Sequence, residues 1–202
     1  IVSAHGVTIP AIGTGQAWGE EGLSYTDPDP DVRTAAIERT QSHIPFAART
    51  GAVIIIGLLR GIVRPNVSQA QAMEWVVAAL QDACAAARPH GVRIALEPIN
   101  RYETSLVNNA AEGMELLERI GAENMGLLLD TFHMNIEERS LAESIITAGS
   151  NLGYIHFADS FEKGLSENLD KLFFSFTKFY GKAPFKLSDE EVLSKEDSFV
   201  IS

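Results

Sequence analysis

An α/β fold built on a parallel sheet is what this sequence predicts. Short continuous apolar runs alternate with longer amphipathic stretches. The runs lack the in-and-out polarity of a half-exposed strand, so each strand must be covered on both faces. Ligand-type side chains recur where these runs end.

The elements follow in order. Val7–Gly15, "VTIPAIGTG", reads as a strand that ends in glycines. "DVRTAAIERTQSHIPFAARTG" reads as one helix from near Asp31 to Gly51. The β-branched run Ala52–Leu59 is a buried strand. A helix is expected next, with Ser68 as N-cap and Gly91 just past its end. "VRIALEPI" is a strand, "NNAAEGMELLERIG" a helix closed by Gly121, and "MGLLLD" a strand. "EERSLAESIITAG" reads as one helix and "LGYIHFAD" as the last strand, giving about five βα units. Such an open sheet has two unpaired edges and is expected to self-associate as a homo-oligomer.

Composition narrows the class. The chain has 202 residues, 46% hydrophobic and 21% charged, enough for one domain with a real core. Its formal net charge of −11 disfavours nucleic acid as a partner. No apolar run reaches the ~18 residues of a membrane span. The single cysteine, Cys84, excludes an internal disulfide framework and suits a reducing compartment, so a cytoplasmic location is expected. The opening "IVSAHGVTIPAIG" has no basic signal-peptide region and no initiating Met, so an upstream part is expected. The glycine spacing of "GTGQAWG" does not match a dinucleotide fingerprint.

Three strand ends carry the candidate chemistry. Glu97 follows "VRIAL", Asp130 follows "MGLLL" and His156 follows "LGYI". The separations are 33 and 26 residues, each about one βα unit, so three successive parallel strands deliver them to one edge. Asp130 also suits an N-cap role, with His133 in the first turn after it. His5, His43 and His90 have no such context and are expected at the surface. Trp18 suits a pocket rim or a core position equally.

At these residues the sequence resembles a known superfamily. "ALEPINRYE", "LLLDTFHMNIEE" and "GYIHFADS" are similar to the sugar isomerase/epimerase superfamily with xylose-isomerase-like TIM barrels, and within it to the ketose 3-epimerases acting on D-tagatose and D-psicose. The resemblance implies a (β/α)8 barrel, present here over residues 1–160 as an incomplete barrel corresponding to strands 3 to 7. It implies that Glu97, Asp130 and His156 ligate a divalent metal, with Mn²⁺ expected and Mg²⁺, Co²⁺ or Zn²⁺ possible for such donors. It further implies that Glu97 is the catalytic base and that Glu103 and His133 bind a small-molecule sugar. The reaction implied is removal of a proton beside a carbonyl, through an enediolate whose charge the metal neutralises. The family's strand-8 Glu, a fourth ligand and second base, has no match here, so impaired turnover is expected. A hydroxypyruvate isomerase-like enzyme and a non-catalytic, self-associating barrel fragment are the alternatives.

Residues 161–202 differ from the rest. All six lysines and seven of the ten phenylalanines lie after Ser160, while all ten arginines lie before it. That change points to a junction or frameshift product. "ENLDKLFFSFTKFYG" is expected as an amphipathic helix, and "KLSDEEVLSKEDSFVIS" as a polar, poorly packed end.

Overall fold

A computed structural model of the chain describes residues 6–158 and the backbone of Phe199–Ile201. The change of composition at Ser160, the expected helix over "ENLDKLFFSFTKFYG" and the expected polar end as far as Ser198 lie outside the described residues. So does His5.

Five parallel strands run in chain order through one sheet: β1 (Ala11–Gly13), β2 (Val53–Ile56), β3 (Ile94–Leu96), β4 (Met125–Asp130) and β5 (Leu152–Phe157). The helices between them are α1 (Gly15–Gly19), α2 (Pro30–Ser42), α3 (Ile44–Thr50), α4 (Gln69–Ala87), α5 (Ala110–Ile120), α6 (Thr131–Glu137) and α7 (Leu141–Ala148). This is the expected incomplete barrel. A sixth strand, β6 (Phe199–Ile201), pairs antiparallel with β5, setting Val200 opposite His156. This pairing corrects the expected free edge at β5.

Helix ends follow their capping residues. Ser68 Oγ accepts from Gln71 N at 3.1 Å at the start of α4, as expected. Asn109 Oδ1 accepts from Glu112 N at 2.9 Å at the start of α5, and left-handed Gly121 closes that helix. Two expected helices differ. The long one breaks at His43 into α2 and α3, because Pro45 has no N–H to donate and its ring crowds the carbonyl one turn earlier. The other begins only at Leu141, where Ser140 Oγ caps Glu143 N at 3.3 Å, while Glu137 belongs to the preceding helix.

Strand alternation divides the core into two layers. Ile54, Ile56, Ile94, Leu96, Leu127, Leu129, Ile155 and Phe157 face the helices and join one large apolar cluster with Val76, Leu80, Leu116 and Ile145. Ile55, Ala95, Leu128 and Tyr154 form a separate cluster on the opposite face, the inner face of a barrel. Each is buried, so this second layer is the floor on which the next layer of side chains rests. No helix among the described residues is long and apolar enough to cross a membrane.

Candidate functional site

Two residues beyond each member of that inner layer stand Gly57, Glu97, Asp130 and His156. A strand repeats its side-chain direction every second residue, so all four continue the inner face toward the C-terminal rim. The ladder carries on into them: Glu97 N donates to Ile56 O at 3.0 Å, and Asp130 pairs with His156 in register.

The two acids and the imidazole meet there. One ligand atom from each of Glu97, Asp130 and His156 lies within 4.8 Å of the other two. His156 Nδ1 is 3.5 Å from Asp130 Oδ2 and 4.0 Å from Glu97 Oε1. Asp130 and His156 are each held. Asp130 Oδ1 accepts from Phe132 N at 2.8 Å and so caps α6. The expected cap and the expected convergence are thus one carboxylate with two occupied sides. His156 stacks edge-on against Tyr154 at 5.6 Å. Thr131 Oγ1 donates to Ala158 O at 2.7 Å and accepts from Ala158 N at 2.9 Å, locking the exit of β5 onto the start of α6.

Electrostatics mark the cluster as short of positive charge. Burial pushes the Glu97 carboxyl up to about 7, and the neighbouring Asp130 charge adds to this against the opposing pull of His156 and Arg60. Burial works to lower the His156 imidazolium, but the Asp130 hydrogen bond and the Glu97 charge outweigh it and hold the group above its ordinary value. Two hard carboxylate donors and one imidazole, crowded enough to keep a proton between them, fit a divalent cation.

Glu103 and His133 border this cluster. His133 Nε2 is 3.8 Å from Glu97 Oε1, and its Nδ1 is 3.9 Å from Glu103 Oε1. Between them lies Asn100, which the sequence reading did not single out. Its Nδ2 donates to Glu103 Oε1 at 2.7 Å and to His133 Nδ1 at 2.8 Å, and its Oδ1 accepts from Tyr102 N at 3.0 Å. An unprotonated Nδ1 leaves the His133 proton on Nε2, facing Glu97. Burial agrees, lowering the His133 pKa against the pull of Asp130 and Glu103. All five expected site residues therefore stand together.

Two more residues went unread. Gly57 packs against the acid: a Cβ there would lie 2.8 Å from Glu97 Oε2 and 3.2 Å from Ile99 Cδ1. Arg60, in the 3₁₀ turn after β2, is fully buried and donates to Glu97 O at 2.6 Å. The signal for Gly57 was its place two residues after Ile55. For Arg60 it was a lone arginine closing the run "IIIGLLRG". Trp18 is half-buried, with the Arg64 guanidinium 5.3 Å above its ring. Of the other histidines, His90 is exposed as expected, whereas His43 is half-buried at the α2–α3 joint and burial lowers its pKa.

The known proteins that this chain is similar to agree with the geometry. D-psicose 3-epimerase of Ruminiclostridium cellulolyticum is 33% identical over 156 residues, covering 75% of this chain and 52% of that protein. L-ribulose 3-epimerase of Methylomonas sp. is 45% identical over 84 residues, covering 42% of this chain and 29% of that protein. Among solved structures, D-psicose 3-epimerase with D-tagatose from Clostridium cellulolyticum H10 superposes with a TM-score of 0.74 at 25% identity, covering 88% of this chain and 63% of that one. The chain spans about half the length of the first of these curated relatives and less of the second. A family model described as a xylose isomerase-like TIM barrel matches residues 1–181. Five parallel strands in chain order, an inner layer that ends in acid, acid and imidazole, and that match over most of the sequence make this chain a member of the xylose isomerase-like TIM barrel family.

Proposed function

We propose that this chain carries the metal-binding, proton-abstracting half of a ketose 3-epimerase site. The observation that carries the reading is the meeting of Glu97, Asp130 and His156 with ligand atoms within 4.8 Å of one another. In this reading the three hold a divalent cation, with Mn²⁺ the expected ion. A divalent cation held by these three would polarise the sugar carbonyl as a Lewis acid and so acidify the neighbouring C–H.

Glu97 takes that proton. Burial and the Asp130 charge push this carboxyl up to about 7 in the metal-free chain, and a bound cation would draw it lower, so that it stands ionised and able to accept a proton near neutral pH. His133 presents its Nε2–H to a sugar oxygen, and Asn100 fixes that tautomer through Nδ1. Glu103, at the more open side with 40% of its side chain exposed, accepts from a sugar hydroxyl. The substrate is taken to be a small ketose, because the curated relatives with the longest matches are named for such sugars. The protein is further taken to act in the cytoplasm as a homo-oligomer.

A base on one face of the sugar removes a proton and can return one to the same face. Inversion needs a second donor on the other face, and this reading assigns that role to no described residue. The direct test is isotope wash-in. The Mn²⁺-loaded chain is incubated with D-psicose and D-tagatose in D₂O, and deuterium at C3 is read by mass spectrometry. The wild type is expected to exchange C3–H and Glu97→Gln to lose that exchange by at least about 100-fold. No exchange in the wild type, or undiminished exchange in Glu97→Gln, would overturn the reading.

A further inference from the structure

Among the described residues, the fully buried guanidinium of Arg60 donates to four main-chain carbonyls around this site. Nε donates to Leu106 O at 3.0 Å, and Nη2 to Val107 O at 2.9 Å. Nη1 donates to Gly57 O at 2.9 Å and to Glu97 O at 2.6 Å. These acceptors belong to three separate segments: the exit of β2, the exit of β3, and the far end of the loop that leaves β3. A buried cation normally needs a carboxylate partner. Here four carbonyl dipoles take that place, gathered by a planar fork whose donors point in fixed, divergent directions.

A second observation lies at one of those carbonyls. Val107 is buried and has a φ of 56°, in the left-handed region. A β-branched residue is crowded there and stays only where its surroundings hold it. Its carbonyl is held twice, by Arg60 Nη2 and by Ile99 N at 3.2 Å. The loop is pinned elsewhere too: Thr104 Oγ1 donates to Gly61 O at 2.9 Å, and Asn108 Nδ2 donates to Ile99 O at 2.7 Å and Thr104 O at 3.0 Å. That loop carries Asn100 and Glu103.

We propose that Arg60 is a positioning residue, a carbonyl clasp that holds Glu97 and the loop bearing Asn100 and Glu103 as one rigid unit. Its significance for the sugar chemistry rests on the function proposed above, but the clasp itself does not. Lysine cannot replace it, because three donors on a single nitrogen do not span acceptors on three segments. The strained Val107 turn is what brings Leu106 and Val107 carbonyls within reach of the fork, so the loop's conformation and the guanidinium depend on each other.

The test uses the full chain without metal, then with Mn²⁺. Amide hydrogen exchange is followed in Arg60→Ala and Arg60→Lys, with α4 as an internal reference. Exchange over residues 97–108 is expected to rise at least about tenfold in both variants while α4 stays unchanged. Val107→Gly, which frees the left-handed turn of its crowding, is expected to restore part of that protection in the Arg60→Lys background. Millimolar guanidinium added to Arg60→Ala is expected to restore both protection and Mn²⁺ affinity, where equal sodium chloride does not. A merely space-filling arginine would show no such rescue. Should Arg60→Ala fail to fold, Arg60→Lys carries the test. Unchanged exchange over 97–108 in Arg60→Lys, or an equal rise across the whole chain, overturns the clasp. Loss of protection over 97–108 in a chain that binds no Mn²⁺ upholds the clasp and contradicts only the cation-binding function.

Discussion

Asp130 Oδ2 stands 3.5 Å from Nδ1 of His156, while Oδ1 of the same carboxylate caps α6 through Phe132 N at 2.8 Å. One side chain therefore serves both the helix and the cluster. The two roles separate by substitution. Asp130→Asn keeps an oxygen for the cap and removes the charge that opposes Glu97. Asp130→Ala loses both. In metal-free urea unfolding, Asp130→Asn is expected within about 0.5 kcal/mol of wild type or above it, and Asp130→Ala about 1 kcal/mol below Asp130→Asn. Equal stability of the two variants would mean that the cap contributes nothing.

The raised Glu97 pKa fixes a pH dependence. In the folded chain this carboxyl keeps its proton up to about 7, against 4.5 for an ordinary glutamate. Its contribution to metal-free stability is thus fully present below about 4.5 and is lost as pH rises through about 7. A Glu97→Gln variant lacks this dependence. The stability of wild type relative to Glu97→Gln should fall between those two pH values, as read from paired denaturation curves. A difference that is flat, or that grows with pH, would contradict the assignment.

Cation binding has the opposite slope. Mn²⁺ must displace the Glu97 proton, and the His156 imidazolium is held above its ordinary value by the same acids. Affinity should therefore rise about tenfold per pH unit for each proton displaced, levelling off above about pH 7. Calorimetry in buffers of different ionisation enthalpy counts the protons released; a count of zero at pH 6 would exclude the mechanism.

Gly57 leaves room for the acid rather than contacting it through a side chain. A Cβ there would press on Glu97 Oε2 at 2.8 Å, and the carboxylate is the softer partner, free to swing away from Asp130 and His156. Gly57→Ala is expected to weaken Mn²⁺ binding by about tenfold or more while lowering stability by only about 1 kcal/mol. Thermal unfolding and calorimetry of the same sample decide it. Loss of stability with unaltered affinity would place the effect in the backbone alone.

Asn100 predicts the tautomer of His133. With Nδ1 accepting from Asn100 Nδ2 at 2.8 Å, the ring is neutral and carries its proton on Nε2. Nitrogen-15 NMR at pH 7 should show that tautomer. Asn100→Asp, which places a carboxylate against Nδ1, should raise the His133 pKa by about one unit or more. An imidazolium at pH 7 in the wild type would contradict the network.

The sequence shows some parts of this arrangement plainly and hides others, for physical reasons. Parallel strands buried on both faces write themselves as apolar runs, so β2, β4 and β5 were readable, and so was the acid or imidazole where each of the last three strands stops. The cap at Ser68 and the closing Gly121 were equally local. The break at His43 was hidden because the apolar and small residues of α2 and α3 continue one pattern across Pro45, although a proline inside a helical run is itself the signal. The split before α7 was written as Ser140 followed three residues later by Glu143, a capping pair that was read as helix interior. Asn100 and Arg60 act across elements far apart in sequence. Only the fold brings Arg60 to Leu106 and Val107, and no spacing rule anticipates a buried arginine satisfied by carbonyls.

The central claim is that Glu97, Asp130 and His156 share one divalent cation. Titration of Mn²⁺ at pH 7.5 into wild type, Glu97→Gln, Asp130→Asn and His156→Ala, with folding of each checked by circular dichroism, tests it most directly. The account predicts one saturable site per chain in the wild type and an affinity reduced at least about 100-fold in every variant. Undiminished binding by folded variants, or no binding by the wild type, would contradict it.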